Sequence, residues 1–552
     1  MAAHKINREE VAKREIGTTL VSAAAARLLT LCFLATVFLV PLGQRLIDRG
    51  AAPPAFAYSP AGRGEGESLF SLVDRNNTAV LKAINSLEGD LEEGSFLRRL
   101  FLPPLQYVML HLLGKGNEKA VPGLEGTLHY APDLDALLGP PFLHPQQLRE
   151  RAAGHKLWEK AVHPDPLPAI ESFAWQLADR GIRLIVLPVP ARAALEPRSL
   201  SRRDASAPLA NRSLGEMMAK LSAKGILVFD ARPTLSRYAR EHGSAYLATD
   251  THWLPGAMQA VAEDMAGFIE AKVEGLSTAA SYVAEEEKVR GVGDIARMLT
   301  LPAGVEVHAP EEVSVRRIFS ARQELWLPDK NAEVLLLGDS FTNIYASEGL
   351  GWKSGAGLAE QLAYHLQRPV DLLARNDGGA YVTREMLAAE LARGHDRLEA
   401  KKVVIWQFAE RELALGDWKP VELRLGQPVE GRYYVVPPGS TVTVSATLAA
   451  ISPSARPGTV PYRDAVLTLH LVDLETAQGK TAEGQAVVYG FGMRDNVLTP
   501  LAAQRPGDRV TLRLRPWEEV EGEYGSYRRT PLDDDLLELE IPNWGELSDE
   551  TK

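Results

Sequence analysis

Cysteine is almost absent from this chain of 552 residues, with Cys32 as its single representative. One thiol cannot close an internal disulfide, so no cross-link within the chain holds the fold. Cys32 sits inside an apolar stretch with no small-residue lipobox ahead of it, and reads as a membrane-core residue. A basic excess is missing too: 61 Lys and Arg stand against 72 Asp and Glu, a formal charge of -11. Nucleic-acid binding calls for a basic patch that replaces phosphate counterions, and no RNA or DNA motif is present. No solenoid period recurs. What remains is the composition of a globular protein, 45% hydrophobic and 24% charged. The length suits roughly two or three domains.

The N-terminus carries the first positive signal. Leu28 to Leu42 is apolar apart from two threonines, and Ser22 to Ala26 extends it toward the ~20 residues a bilayer needs if Arg27 snorkels. Lys5, Arg8, Lys13, Arg14 and Arg27 precede the run, an excess that puts residues 1–27 in the cytoplasm and the chain after the span outside. A cleaved signal peptide is the rival reading, with Ala55-Phe56-Ala57 as the small-x-small site. Arg45, Asp48 and Arg49 stand between the run and that site, and the run exceeds a usual signal core, which favours an uncleaved anchor over 28–47.

Residues 48–119 read as a linker, rich in proline, glycine and small residues over 51–66, followed by helical apolar spacing from Leu69 to Leu113 that Pro103-Pro104 breaks. From about residue 167 helices and buried strands alternate. The pattern predicts strands over Ile182–Val189, Ile226–Phe229, Glu333–Leu337, Val370–Leu373 and Val403–Trp406, with helices near 167–178, 211–224, 256–271, 356–367 and 383–393. Such alternation implies an α/β domain, a parallel sheet flanked by helices, over 120–419. After Pro420, short alternating runs such as Thr441–Leu448, Val466–Leu471, Ala486–Tyr489 and Val510–Leu514 predict an antiparallel β-sandwich over 420–552, its last residues acidic and frayed.

Two short stretches carry the chemistry: Asp250-Thr251-His252-Trp253 and Gly338-Asp339-Ser340-Phe341. A serine hydroxyl needs an imidazole to take its proton, and a carboxylate on the far ring nitrogen fixes the tautomer and stabilises the imidazolium. Asp250 and His252 are two apart, and in an extended segment they would project to one side, toward Ser340. Gly338 permits the tight strand-to-helix turn before the nucleophile. Ser340 and Asn376 each follow a predicted strand, where the ligand crevice of an open α/β sheet lies, and Asn376 is placed to add an N–H to an oxyanion hole. Taken singly, Gly-Asp-Ser is a common turn, His252 a core histidine and Asp250 a helix cap. A zinc site competes for Asp250 and His252, but no second His stands at ligand spacing.

These residues resemble the AlgJ/AlgX family of polysaccharide O-acetyltransferases, a permuted branch of the SGNH hydrolase-like fold in which Asp and His precede the serine. Further stretches agree: Leu187-Pro188-Val189-Pro190, Gly293-Asp294-Ile295-Ala296-Arg297, Arg375-Asn376-Asp377-Gly378-Gly379, Trp406-Gln407-Phe408 with Arg411, and Gly126 to Leu143 with Tyr130 and Gly139-Pro140. Arg375 stands where the SGNH block usually has glycine. The resemblance implies a Ser340, His252, Asp250 triad, with Gly338, Asn376, Arg411 and Trp253 on the oxyanion or substrate side. It also implies acetylation of an exported polysaccharide, a membrane-bound O-acyltransferase partner that passes acetyl across the inner membrane to the periplasm, and a C-terminal carbohydrate-binding domain. Neither metal nor organic cofactor is indicated, so the acetyl group comes from a donor protein or acetyl carrier.

Hydrolase and transferase share one acyl-serine and differ in what attacks it. A domain that holds the sugar hydroxyl in line favours transfer over esterase action. A non-catalytic glycan-binding scaffold is the third reading, and an intact triad speaks against it. Arg192, Arg198, Arg202, Arg203 and Arg212 form either a uronate-binding loop or a solvated one. Trp352, Trp406 and Tyr381 are candidates for sugar stacking, with core packing the alternative for Trp406. Tyr489, Phe491, Trp517, Tyr524 and Tyr527 read equally as a sugar platform or a core.

Overall fold

The computed structural model describes residues 22–47, 68–154 and 162–548 other than 203–207, 303, 306, 347–349, 377–378, 393, 427–432, 456, 458–459, 461, 482, 505, 533–536 and 538–539. Lys5, Arg8, Lys13, Arg14, the Ala55–Ala57 site, the 51–66 linker, Arg203, Asp377 and Gly378 lie outside the described residues.

The chain divides into two units, Met1–Leu105 and Gln106–Lys552. In the first, Ala23–Ile47 forms a 25-residue helix whose most apolar window has a mean hydropathy of 2.1, long and apolar enough to cross a membrane. Its hydroxyls are satisfied inside the helix, Thr30 Oγ1 donating to the Ala26 carbonyl and Thr36 Oγ1 to that of Cys32, both at 2.9 Å. A second helix, Leu69–Gly94, starts at Ser68, whose hydroxyl accepts the Ser71 N–H at 3.1 Å. The Phe96–Leu113 helix runs through Pro103 and Pro104, where the spacing predicts a break. Neither proline can donate an N–H, so the helix lacks two ladder hydrogen bonds at this point.

The second unit is built on five parallel strands in the order Leu227–Val228, Arg183–Val189, Val403–Ala409, Val334–Gly338, Val370–Ala374. Val334–Gly338 and Val403–Ala409 are buried at every position, as strands covered on both faces must be. The two-residue period sorts their side chains. Ile185, Leu187 and Val189 face Met258, Val261 and Met265 of the Pro255–Lys272 helix and Leu358 and Leu362 of the Leu358–Leu366 helix. Leu184, Val186, Leu335 and Leu337 pack on the other side against Phe173 and Leu177 of Pro166–Ala178, Met217 and Leu221 of Leu214–Ala223, and Leu387 and Leu391 of Val382–Ala392. An antiparallel hairpin, Tyr282–Gly291 with Glu311–Ser320, is inserted before the serine strand.

The C-terminal runs form the expected antiparallel β structure, and their hydrogen bonds close on themselves. Ala465–Thr476 pairs with both Val442–Ile451 and Gln485–Arg494, and Pro542–Leu547 joins Gln485–Arg494 in parallel to Arg509–Pro516, which returns to Val442–Ile451. Five strands thus make a small barrel filled by Leu448, Leu469, Leu471, Leu512 and Leu514. Tyr489, Phe491 and Tyr524 are buried around Trp544, with Tyr524 stacked on Trp544 at 4.3 Å and Trp517 edge-on to Tyr489 at 5.0 Å. This aromatic group, with Tyr527, is a second core beneath the Trp517–Tyr524 helix.

Candidate active site

Ser340 opens a single helical turn directly after the Val334–Gly338 strand, at the carboxyl edge of the sheet. The turn is tight because Gly338 has no side chain: a Cβ there would lie 2.2 Å from Thr342 Oγ1. Asp339 pins it. Its carboxylate accepts from the Phe341 N–H at 2.8 Å, Gln407 Nε2 at 2.8 Å and the Ala409 N–H at 2.7 Å. Three donors engage this carboxylate, so it holds the serine turn to the neighbouring strand and is not a free base.

The Asp250–His252 segment is a turn and not the extended run expected. Tyr246 and Trp253 pair across its base, Leu247 N–H donating to the His252 carbonyl at 3.1 Å. Within it Asp250 Oδ1 accepts the His252 backbone N–H at 3.1 Å and His252 Nδ1 at 2.6 Å. The carboxylate reaches the ring by folding over its own backbone. On the other side of the ring, His252 Nε2 lies 2.8 Å from Ser340 Oγ. Carboxylate, imidazole and hydroxyl form one buried hydrogen-bonded chain.

Its electrostatics suit proton transfer. Burial disfavours the imidazolium, yet the Asp250 carboxylate, with Asp294 and Asp339 beyond it, holds His252 above its ordinary value. Burial likewise opposes ionisation of Asp250, and the adjacent His252 more than offsets this, keeping the carboxyl well below the usual range. Asp250, His252 and Asp294 also offer three converging donor atoms of the kind that bind metals. In this arrangement the His252 nitrogens are already engaged by Asp250 and Ser340.

The chain opens on a cavity of about 350 Å³, lined by Lys119, Tyr130, Thr251, His252, Asp294, Met298, Asp339, Ser340, Leu350, Asn376, Gly379, Arg411, Glu412, Val460 and Tyr462. Asn376, just beyond the Val370–Ala374 strand, has its Oδ1 taken by Asn343 Nδ2 at 2.9 Å, which leaves its N–H₂ for the cavity. Arg411 follows the last strand, pairs with Asp133 at 3.0 Å and lies 5.3 Å above the Tyr130 ring. Burial works against its charge, but Asp133 and Glu412 hold it firmly protonated.

Residues 149–410 match the family model described as the SGNH hydrolase-like domain of acetyltransferase AlgX. Over these residues the α/β domain is similar to the AlgJ/AlgX acetyltransferases. The probable alginate O-acetylase AlgJ of Pseudomonas aeruginosa is 26% identical over 244 residues, 44% of this chain and 61% of that protein. The present chain therefore spans under two thirds of that relative's length. Among solved structures, the O-acetyltransferase domain of Pseudomonas putida AlgJ has 20% identity, covering 54% of this chain and 92% of that one with a TM-score of 0.40. Pseudomonas aeruginosa AlgX has 16% identity over 71% of this chain and 90% of its own, also with a TM-score of 0.40.

Two residues expected at the substrate side are not part of the cavity lining. Gly338 is a strand residue under Thr342, and Trp253 is fully buried, edge-on to Phe341 at 5.4 Å. Trp352 directs its indole N–H at Asp250 Oδ2 at 3.4 Å. Trp406 is core, and Tyr381 lies under the Lys419 ammonium at 4.4 Å. Arg192 is buried and donates to the Ala248 carbonyl at 2.8 Å. None of Arg192, Arg198, Arg202 and Arg212 lines the cavity among the described residues.

Other contributors went unassigned by sequence reasoning. Glu311, on the inserted hairpin, accepts from the backbone N–H groups of Ala248 and Thr249 at 2.8 and 3.1 Å, bracing the approach to Asp250. Asp294 accepts from Thr251. Val460 and Tyr462 reach the cavity from the barrel. Only Asp294 had a signal, its place in the Gly293–Arg297 stretch quoted for the family.

Proposed function

We propose that this chain is an O-acetyltransferase that moves acetyl groups onto hydroxyls of an exported polysaccharide through an acetyl-serine at Ser340. The observation that carries the reading is the Asp250, His252, Ser340 hydrogen-bonded chain opening on a cavity within an AlgX-type domain. In the first half-reaction Ser340 Oγ bonds to the acetyl carbon while its proton passes to His252 Nε2, and that proton then leaves with the donor's departing group. In the second, a sugar hydroxyl gives its proton to His252 and attacks the acetyl carbon, and as the bond to Ser340 Oγ breaks His252 returns the proton to Oγ, leaving free Ser340 and the acetylated sugar. The Asn376 amide is the donor assigned to the oxyanion in both.

The Ala23–Ile47 helix serves in this reading as a single-pass inner-membrane anchor with the catalytic part in the periplasm. A membrane-bound O-acyltransferase is the proposed partner, delivering acetyl without a cofactor in this chain. The relatives' names make alginate-type oligouronates the first acceptors to try. The test is the full-length protein with a chromogenic acetyl ester, with and without oligosaccharide acceptors, beside Ser340→Ala. Serine-dependent acetyl appearing on the sugar is the expected result. Serine-dependent release to water alone, whatever acceptor is offered, makes it an esterase; no dependence on Ser340 overturns the mechanism.

A further inference from the structure

A second buried carboxylate stands beside the proton path without taking part in it. Asp294 Oδ1 accepts the Thr251 backbone N–H and Oδ2 the Thr251 hydroxyl, both at 2.8 Å, so its two oxygens grip the middle residue of the turn. In return the Asp294 N–H donates to Asp250 Oδ2 at 3.0 Å. Asp294 Oδ2 also lies 3.8 Å from His252 Nδ1, too far for a good hydrogen bond but near enough for a strong charge interaction away from bulk water.

We propose that Asp294 is a positioning residue, which holds the Asp250–His252 turn in line with Ser340 and sets a second negative charge beside the imidazolium that forms when Ser340 yields its proton. This rests on Ser340 being the nucleophile.

The residue type supports the charge role. An asparagine would grip Thr251 equally well, its oxygen accepting the N–H and its amide donating to the hydroxyl oxygen. A carboxylate here is unfavourable by comparison: burial, with the Asp250 charge behind it, pushes Asp294 up to about 7. That cost is offset in the step where His252 becomes cationic. The charged and titratable groups around Asp294 are Asp250 and His252 in the turn and Arg297 on its own short helix. Lys119, Asp339, Arg411 and Glu412 line the same cavity.

The experiment is an NMR titration of the His252 ring in the full-length chain with labelled histidine, assigned by loss of the signal in His252→Gln, beside acylation kinetics with a chromogenic acetyl ester. Asp294→Asn is expected to titrate at lower pH and to lose about tenfold in acylation rate, the equivalent of one pKa unit, with its melting transition retained. Thr251→Val, which removes one grip and keeps the charge, is expected to keep the titration and lose rate. Asp294→Glu separates the two roles if the Asn variant folds poorly: charge retained and displaced, it should keep most of the raised titration and still lose rate. A wild-type titration together with a wild-type rate in Asp294→Asn overturns the proposal. If Ser340→Ala releases acetate as fast as wild type, the nucleophile reading fails instead, while the titration still reports the charge coupling.

Discussion

Asn343 Nδ2 donates to Asn376 Oδ1 at 2.9 Å, and this one bond decides which end of the Asn376 amide meets the cavity. Asn343 belongs to the serine's own helical turn, so the proposed nucleophile and the proposed oxyanion donor are held by the same few residues. A fixed donor is worth more than a mobile one because it needs no reorganisation as charge develops. Asn376→Ala is therefore expected to lower kcat by about 10²- to 10³-fold with little change in acceptor KM. Asn343→Leu, which frees the amide to turn, should cost less. Steady-state kinetics on both variants checks this, and an undiminished kcat in Asn376→Ala moves the oxyanion donor elsewhere.

The pH dependence follows from His252. In the proposed mechanism the ring must be neutral to take the serine proton, so acylation is expected to fall as the pH drops through the His252 pKa. That pKa is held above 6.5 against burial by Asp250. The acid limb of kcat/KM is expected above pH 6.5 in the wild type and lower in Asp250→Asn, where the charge is gone. The same variant should lose on the order of 10⁴-fold in kcat, because an amide that donates to Nδ1 selects the wrong tautomer. A pH–rate profile of both proteins measures the two effects together.

The buried strands and the position of Ser340 after one of them were legible because apolar runs of that length announce a parallel sheet. Asp250 and His252 were legible as a pair, though not the turn that joins them. The braces were not. Tyr282–Gly291 and Glu311–Ser320 alternate with charged residues and expose much of their surface, so neither carries the apolar signal of a core strand, yet Glu311 and the intervening Asp294 hold the turn. Gln407 is hidden in an apolar strand and its bond to Asp339 joins residues far apart in the chain. Barrel closure depends on Ala465–Thr476 pairing on both edges, a long-range choice that alternation alone does not specify. Aromatic composition could not separate a sugar platform from a core, since both use the same rings.

Tyr462 lines the cavity from the barrel, and the residues after it fix the loop. Asn496 N–H donates to the Arg463 carbonyl at 2.8 Å, Asp495 N–H to Asp464 Oδ1 at 2.7 Å, and Arg463 pairs with Asp495 at 2.8 Å. The ring is largely buried yet lines the cavity, so truncating it tests whether the barrel contacts the acceptor sugar. Tyr462→Ala is expected to raise acceptor KM by up to about tenfold and leave donor acylation near wild type, and Tyr462→Phe to retain both. Equal KM values in all three proteins would remove the barrel from acceptor binding.

Gly293 shows how closely the brace is packed against the turn. Its backbone is ordinary, with φ -64°, so any residue could adopt it, but an added Cβ would lie 2.1 Å from the Thr249 carbonyl oxygen and 2.5 Å from the Asp250 nitrogen. Both are backbone atoms, which cannot swing aside as a side chain can. Gly293→Ala must therefore push the Asp294 helix away from Thr251 and Asp250, at a cost of about 1–3 kcal/mol, and activity should fall further than stability because the displaced groups orient His252. Gly215 is the control, a helix position where a Cβ meets nothing within 4 Å. Gly215→Ala should be neutral or stabilising by up to about 1 kcal/mol with unchanged activity. Thermal melts and acetyl-ester turnover on the pair decide the matter: if Gly293→Ala keeps full activity, the contact between the inserted brace and the Asp250 turn is dispensable.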